Sequence, residues 1–402
     1  MRLLYLSFDF PLPPNNGGRM LTWAMLRALV ACGHELTLLT TLQQPLEVNE
    51  HYTTMKQVCR RITLVPFVER RQTSPGDYFN RLRALFSPEP YAVLRYASPV
   101  LRRHIQDYLA RDTFDAVVCD PVFSLINLSP ISLPIVLITH NIEHIILQRY
   151  LSFERNPAKL LYAWLEAKKL RRWEQWACQR SAIATACSEN DRKLLQSLCP
   201  GLPIVVVPAG LEIGDYMIRE EGDPVTIIYH GGMDWYPNRD AVEYFIKEIL
   251  PIILRKAPDV RFLVAGRNPP ADFRKRFTGN PNVTFVGTVS DMRPVIAKAT
   301  VSVVPLRIGG GTRWKILEAA AMAKAVVSTR VGAEGLDFRE EDEILLADEP
   351  LAFADAVLAL VADPVRRKTL GRAARKRVEG QYTFQTLRTA VEEAFGQLRF
   401  RH

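Results

Sequence analysis

Short runs of apolar, mostly β-branched residues alternate with helically spaced apolar positions along both halves of the chain. In the first half Arg2–Asp9, Glu35–Thr40, Ala116–Asp120, Ile135–His140 and Ile183–Cys187 read as strands, and Arg19–Ala31 reads as an amphipathic helix. In the second half Val225–His230, Arg261–Ala265, Val283–Val286, Val301–Pro305, Ala325–Thr329 and Ile344–Leu346 read as strands with helical stretches between them. Most of these runs are apolar at consecutive positions, the pattern of a parallel sheet buried on both faces. Two such series in succession predict an α/β chain of two doubly wound domains. The periodic pattern lapses over Ala209–Pro224, where Gly, Asp and Glu collect. The expected organisation is a first domain over 1–208, a linker over 209–224 and a second domain over 225–380. A closing helix over 381–402 is expected to pack back toward the first domain. No low-complexity tract or short solenoid repeat interrupts this order.

Composition narrows the class. Hydrophobic residues at 48% and charged residues at 24% fit a soluble globular protein. No stretch approaches the ~18 apolar residues that span a bilayer, and the start, Met1–Leu6, is too short an apolar run for a signal peptide before Asp9. A cytoplasmic location is expected. Cys32, Cys59, Cys119, Cys178, Cys187 and Cys199 contain no Cys-x-x-Cys pair, so they read as reduced thiols rather than a disulfide framework or zinc site. The net charge of +9 is uneven: residues 1–210 hold 24 Lys and Arg against 17 Asp and Glu, residues 211–402 hold 28 against 26. A basic first half implies an anionic partner. Without a helix-turn-helix, zinc-finger or RNP-type signature, nucleic acid is not that partner.

The chemistry concentrates at Gly309-Gly310-Gly311-Thr312-Arg313-Trp314-Lys315-Ile316-Leu317-Glu318, between a strand and an expected helix over Arg313–Met322. Glycines let backbone N–H groups approach a ligand, and Thr312 suits an N-cap. Arg313 and Lys315 fall in the first turn, where the macrodipole is already positive, a conflict that an anion at that terminus removes. The stretch reads as a diphosphate cradle; the alternative is a solvated helix start with Lys315 paired to Glu318. Other candidates also follow strands: Gly17, Gly18 and Arg19 after the first, His140, Asn141 and Glu143 after Pro134–Thr139, Gly231 and Gly232 after Val225–His230, and Arg267 after Arg261–Ala265. Ligands of open parallel sheets sit at that carboxyl edge.

Taken with Pro-Pro-Asn-Asn-Gly-Gly-Arg (13–19), Thr-His-Asn-Ile-Glu (139–143), Ala-Cys-Ser-Glu-Asn-Asp (186–191), Val-Val-Pro-Ala-Gly-Leu-Glu (206–212), Gly-Gly-Met-Asp-Trp-Tyr-Pro-Asn (231–238) and Val-Ala-Gly-Arg-Asn-Pro (264–269), the chain resembles the family 4 retaining glycosyltransferases. The resemblance implies the GT-B architecture, two Rossmann-like domains around a cleft, with a nucleotide-diphosphate sugar as co-substrate and no cofactor. It implies that Glu318 binds the ribose hydroxyls, that Arg313, Lys315 and the backbone of Gly311 and Thr312 hold the diphosphate, and that Gly17 and Gly18 approach it. Gly309 and Gly310 belong to the donor site by the same resemblance, with backbone N–H groups of Gly309–Gly311 serving the sugar hydroxyls. Gly232, Arg267 and the Gly287–Asp291 turn fall on the donor side, Arg19, Asn141 and Glu143 on the acceptor side, and His140 faces the donor sugar. The chain departs from the family pattern at Gly310, which stands where the first Glu of a Glu-x7-Glu pair is usual. Met233 and Asn238 stand near the usual Arg and Lys after the first strand of the second domain.

Neutralising a diphosphate leaving group needs cations. With no Asp-x-Asp in the sequence, Arg313 and Lys315 are expected to do this without a metal, while the leaving phosphate accepts the acceptor's proton in a front-face, retaining transfer. The alternatives are a nucleotide-sugar epimerase of the same architecture and a non-catalytic sugar-nucleotide-binding scaffold. The acceptor is expected to be a glycan or lipid-linked glycan met at an anionic membrane surface. Tyr78, Phe79, Leu82, Leu85 and Phe86 interleave with Arg81 and Arg83, and Trp164, Trp173 and Trp176 flank Lys168, Lys169, Arg171 and Arg172. Core-packed amphipathic helices with solvated charges are the competing reading of both stretches.

Overall fold

In β1 (Arg2–Ser7), Leu3 and Tyr5 enter one core layer and Leu4 and Leu6 the other, so a single strand feeds both faces of a sheet. It is joined by β2 (Glu35–Leu42), β3 (Arg61–Pro66), β4 (Ala116–Asp120), β5 (Ile135–Ile138), β6 (Ile183–Ala186) and β7 (Ile204–Val206) in the order β3-β2-β1-β4-β5-β6-β7. All pairings are parallel. The second sheet holds β8 (Thr226–His230), β9 (Arg261–Ala265), β10 (Val283–Gly287), β11 (Val301–Val304), β12 (Ala325–Ser328) and β13 (Leu345–Leu346), again all parallel, in the order β10-β9-β8-β11-β12-β13. The computed structural model describes residues 1–42, 50–66, 75–219, 225–267, 269–277 and 279–399. Expectations for the side chain of Tyr78, for 220–224 and for 400–402 lie outside the described residues.

The chain divides into two units: Met1–Gly210 with the segment from Phe384 onward, and Leu211–Thr383. The helix Phe384–Arg399 supplies Leu387, Val391, Phe395 and Leu398 to the core layer that Met25 and Leu26 of the helix Gly17–Ala31 also fill. Gly210 has no side chain where a Cβ would meet Leu387 at 2.9 Å. Part of the stretch expected as a linker is built into the second unit: Leu211 bridges to Thr383 and Tyr216 is buried.

Two strands were not anticipated. β3 is a partly exposed edge strand that begins at Arg61, directly after Arg60, and β7 is three residues long between Pro203 and Pro208. Each carries too little apolar periodicity to stand out.

The tryptophans divide differently from the expectation. Along the helix Pro157–Gln179, Trp173 is buried and packs against Trp176 with ring centroids 4.6 Å apart, whereas Trp164 is exposed. Lys169 is no surface cation either, since its ammonium donates to the carbonyls of Ala84 (2.6 Å) and Leu85 (3.2 Å) at the end of the helix Pro75–Leu85. Among the described residues no helix is long and apolar enough to cross a membrane.

Candidate active site

In each sheet the strand order reverses once beside the first strand, between β1 and β4 and between β8 and β11. Such switch points open a crevice at the carboxyl ends of the strands. The candidate residues fall at these two places.

In the first unit the segment after β1 is tied down by Arg19, whose guanidinium makes a two-point pair with Asp9 at 2.6 and 2.9 Å. Asn16 caps the helix Gly17–Ala31, its Oδ1 accepting from the N–H of Arg19 at 2.9 Å. Arg19 therefore anchors the glycine turn, and its charge is already met by Asp9. Gly18 sits against the His140 ring: a Cβ there would lie 3.5 Å from Nδ1. The other ring nitrogen, Nε2, meets the carboxylate of Asp120, which is wholly buried at the end of β4. Asp120 also accepts from Tyr5 Oη (2.5 Å) and Thr22 Oγ1 (2.7 Å). Burial pulls the His140 pKa down, but the charge and hydrogen bond of Asp120 outweigh it and leave the imidazole above its ordinary value. The arrangement is a buried acid, an oriented imidazole, and a glycine leaving space beside the free nitrogen.

Asn141 and Glu143 lie beside this pair, joined by a 3.0 Å bond from Asn141 Nδ2 to Glu143 Oε1. Burial, with the nearby charge of Glu174, pushes the Glu143 pKa up to about 7 against the pull of Asn141 and His140. Glu174, from the long helix, accepts the backbone N–H of Glu143 (2.7 Å) and pairs with His144 Nδ1 (2.5 Å). It thus caps the helix Glu143–Leu151 from outside and fixes the direction in which the segment after His140 leaves the sheet.

In the second unit the ends of β8 and β9 approach so closely that side chains are excluded. Gly266 has a φ of 145°, and a Cβ there would lie 1.9 Å from the Gly231 carbonyl oxygen. Gly266→Ala is expected to cost at least about 1–3 kcal/mol through that clash and the left-handed backbone, read as a lowered midpoint in chemical unfolding.

Lys315 reaches under these glycines. Its Nζ donates to Tyr229 Oη (2.6 Å) and Asn238 Oδ1 (2.8 Å), and it lies 3.1 Å from where a Gly231 Cβ would stand. Asn238 also donates to the Gly232 carbonyl at 2.7 Å, linking the ammonium to the glycine turn. Burial, then the positive charge of Arg313, holds the Lys315 pKa well below its ordinary value, with Glu318 opposing only in part. Among the described residues it has hydrogen bonds to neutral oxygens and no ion pair. The pairing to Glu318 offered by the sequence does not form.

Arg313 and Thr312 take other roles than expected. The helix begins at Trp314, one residue late, with Arg313 in the cap position and no side-chain cap. Arg313 is buried; its guanidinium donates to the carbonyls of Gly310 and Val331 (2.9 Å for the latter), bracing the Gly309–Gly311 loop from inside. Gly311 has the left-handed φ of 68° that this loop requires. Thr312 Oγ1 is buried and has no hydrogen-bond partner among the described residues.

Glu318 sits one turn farther along the helix Trp314–Ala321, 3.3 Å from Nε2 of His230, which is buried at the end of β8. Arg267 spans Gly232 and pairs with Asp234 at 2.9 Å. Glycines, a poorly matched cation, a carboxylate and an arginine thus share one sheet edge. Among the described residues no group of three or more His, Cys, Asp or Glu side chains is placed to hold a metal ion.

Residues 15–215 match the family described as Glycosyltransferase Family 4, and residues 224–363 match that described as Glycosyl transferases group 1. The chain belongs to the family 4, group 1 glycosyltransferases. It is therefore a glycosyltransferase. A Klebsiella pneumoniae relative, an uncharacterized 44.6 kDa protein in the cps region, is 20% identical over 89% of this chain and 90% of its own. A glycogen synthase of Mycobacterium tuberculosis is 23% identical over 55% of this chain and 56% of its own. Among solved structures, sucrose-phosphate synthase of Thermosynechococcus elongatus superposes with a TM-score of 0.75 at 17% identity, covering 100% of both chains. HepE of Anabaena, in complex with UDP-glucose, does so at 0.65 and 14%, covering 99% and 100%. The fold is GT-B.

Asp120, Tyr5 and Thr22 were not anticipated, nor were Tyr229, His230 and Glu174. For Asp120 there was a signal: a carboxylate ending an otherwise apolar strand at the ligand-bearing edge of a parallel sheet is costly unless paired. His230 offered the same signal.

Proposed function

We propose that the protein transfers a sugar, with retention of configuration, from a nucleoside-diphosphate sugar to a hydroxyl of a glycan or lipid-linked acceptor. The observation that carries this reading is Lys315, an ammonium held beside Gly231 and Gly232 among neutral oxygens. A buried cation without a counter-ion is costly, and a diphosphate is the anion that a glycine-lined switch point admits. Lys315 takes the place of the basic residues that Met233 and Asn238 displace. Arg313 contributes charge at longer range while bracing the loop. Glu318, oriented by His230, accepts hydrogen bonds from the ribose hydroxyls.

With Gly310 in place of a carboxylate, contacts to the sugar hydroxyls come from backbone N–H groups of the Gly309–Gly311 loop. His140 acts on the transferred sugar or on charge developing at the leaving group. Retention follows if the leaving phosphate takes the acceptor's proton on the face that it vacates. The relative from a cps region supports polysaccharide biosynthesis as the setting. In this reading the enzyme works in the cytoplasm, at the inner face of an anionic membrane. The neighbour solved with UDP-glucose makes UDP-sugars the first donors to try.

A thermal-shift panel of nucleoside diphosphates tests the reading. The cognate one is expected to raise Tm by mass action, in step with the logarithm of its concentration above Kd; a panel with no shift at millimolar concentration rejects it. Transfer to an acceptor, rather than epimerised free donor, separates it from an epimerase.

Transfer is also expected to survive chelation, since Lys315 supplies the cation and the sequence has no Asp-x-Asp. The measurement is turnover after EDTA treatment and desalting. Activity that returns only with added manganese or magnesium overturns the metal-independent mechanism.

A further inference from the structure

We propose that one face of the first unit, shared by the helices Pro75–Leu85 and Pro157–Gln179, docks onto an anionic lipid surface. The inference deepens the acceptor reading above and rests on it only for its biological purpose.

The C-terminal end of the first helix meets the middle of the second. Lys169 of the second caps the carbonyls of Ala84 and Leu85 at the end of the first, and Tyr91 joins them again, with Arg81 of the first over its ring and Glu166 of the second accepting its N–H. Their outer surface carries Phe79, Leu82 and Phe86 from one segment and Leu161 and Trp164 from the other, all exposed, with Phe86 at 92%. Five large apolar side chains on adjacent elements form more than the scattered exposure usual on a soluble domain.

Charge decides what covers them. Every carboxylate of the two helices points inward: Asp77 binds Tyr91 and Arg81, Glu166 accepts the N–H of Tyr91 at 2.7 Å, and Glu174 caps the helix Glu143–Leu151. The exposed charges that remain are Arg83, Lys159, Lys168, Arg171 and Arg172, all positive. Burial of the acids turns helices of mixed composition into a surface of one sign. Lys168 lies over the Trp164 ring at 3.5 Å, an apolar stem with a cationic tip beside an exposed aromatic, as at a lipid headgroup boundary. A protein partner of ordinary composition does not require acids to be withdrawn along two helices; a surface of phosphodiesters does.

The experiment is flotation of the full chain with phosphatidylglycerol-containing and with pure phosphatidylcholine vesicles, at low and high salt. Binding to the anionic vesicles alone, lost in high salt, is expected. The triple variant Lys168→Glu, Arg171→Glu, Arg172→Glu should lower the partition coefficient by at least about 100-fold, from roughly 1 kcal/mol per cation near such a surface. The double variant Leu82→Ser, Phe86→Ser should lower it by about tenfold or more if the side chains insert. Lys169 is left intact because it holds the two helices together.

Nucleoside diphosphate affinity, measured on the same proteins, is expected to be unchanged, which shows that the variants are folded. Wild-type protein that stays off anionic vesicles at low salt overturns the proposal, as do variants that float like wild type. Dissociation of a wild-type dimer by the double variant in ultracentrifugation overturns it in favour of a second copy. Vesicle binding without any nucleoside diphosphate binding leaves the surface standing and removes the donor reading instead.

Discussion

Replacing Lys315 with Met is expected to weaken nucleoside diphosphate binding by about 10- to 200-fold, the equivalent of losing one charged hydrogen bond worth about 1.5–3 kcal/mol. The ligand-free fold should become more stable, because Met removes a buried ammonium whose hydrogen bonds among the described residues go to neutral oxygens. Loss of binding with gain of stability cannot come from a damaged fold. The wild type carries a further signature. In the free protein the Lys315 pKa lies well below its ordinary 10.5, and a bound diphosphate raises it again. Between the free and bound values, binding takes up a proton, so affinity falls as pH rises through that window. Stability of the ligand-free protein runs the other way. Between the lowered native pKa and the unfolded value the unfolded chain holds more protons, so unfolding free energy rises with pH. Calorimetry of the wild type in buffers of differing ionisation enthalpy reads the uptake directly, and Lys315→Met should abolish it. Nucleotide affinity unchanged in that variant would remove Lys315 from the donor site.

The sheet strands were legible because parallel strands buried on both faces are written as apolar runs, as in Ala116–Asp120 and Val301–Val304. The places where the structure departs from the reading have separate causes. Thr312 reads as a cap and Arg313 as a phosphate ligand from their positions just before and at the start of an expected helix. Yet Arg313 is drawn inward to the carbonyls of Gly310 in the glycine loop and of Val331 beyond β12, and the helix starts after it. Such contacts come from the fold and have no sequence spacing. Lys315 and Asn238 meet although 77 residues separate them, because β8 and β11 are neighbours in the sheet. Asp120 and His140 meet for the same reason across β4 and β5. Candidate residues could be assigned to a sheet edge from sequence, but their partners required the strand order. Surface chemistry followed a third rule. The tryptophans of the long helix were grouped by sequence proximity, and the helical period then put Trp173 in the core and Trp164 outside.

His140→Ala is expected to lower kcat by about 10²–10³, the cost of removing one preorganised electrostatic group, with nucleoside diphosphate affinity nearly unchanged. The stronger test is Asp120→Asn, because Asp120 touches no space a substrate could enter. It is wholly buried, and Tyr5, Thr22 and His140 surround its carboxylate. Asparagine preserves the volume and an acceptor oxygen but removes the charge that raises the His140 pKa against burial. The imidazole should then titrate at lower pH. With Nε2 committed to residue 120, Nδ1 beside Gly18 is the nitrogen free to act, and it donates only when the ring is protonated. Wild-type turnover should therefore fall as pH rises through the raised His140 pKa, and the Asp120→Asn profile should fall at lower pH, with kcat reduced more than KM. Stability follows the same titration: a raised native pKa stabilises the wild type fully below about 6.5, the unfolded value, and that contribution is lost as pH rises through the native one. Asp120→Asn should flatten that dependence. A variant with reduced kcat but an unshifted pH profile would mean that Asp120 only fills space. An unshifted profile together with wild-type turnover would remove the pair from the chemistry, leaving His140 as a buried strand-end residue held for the fold alone.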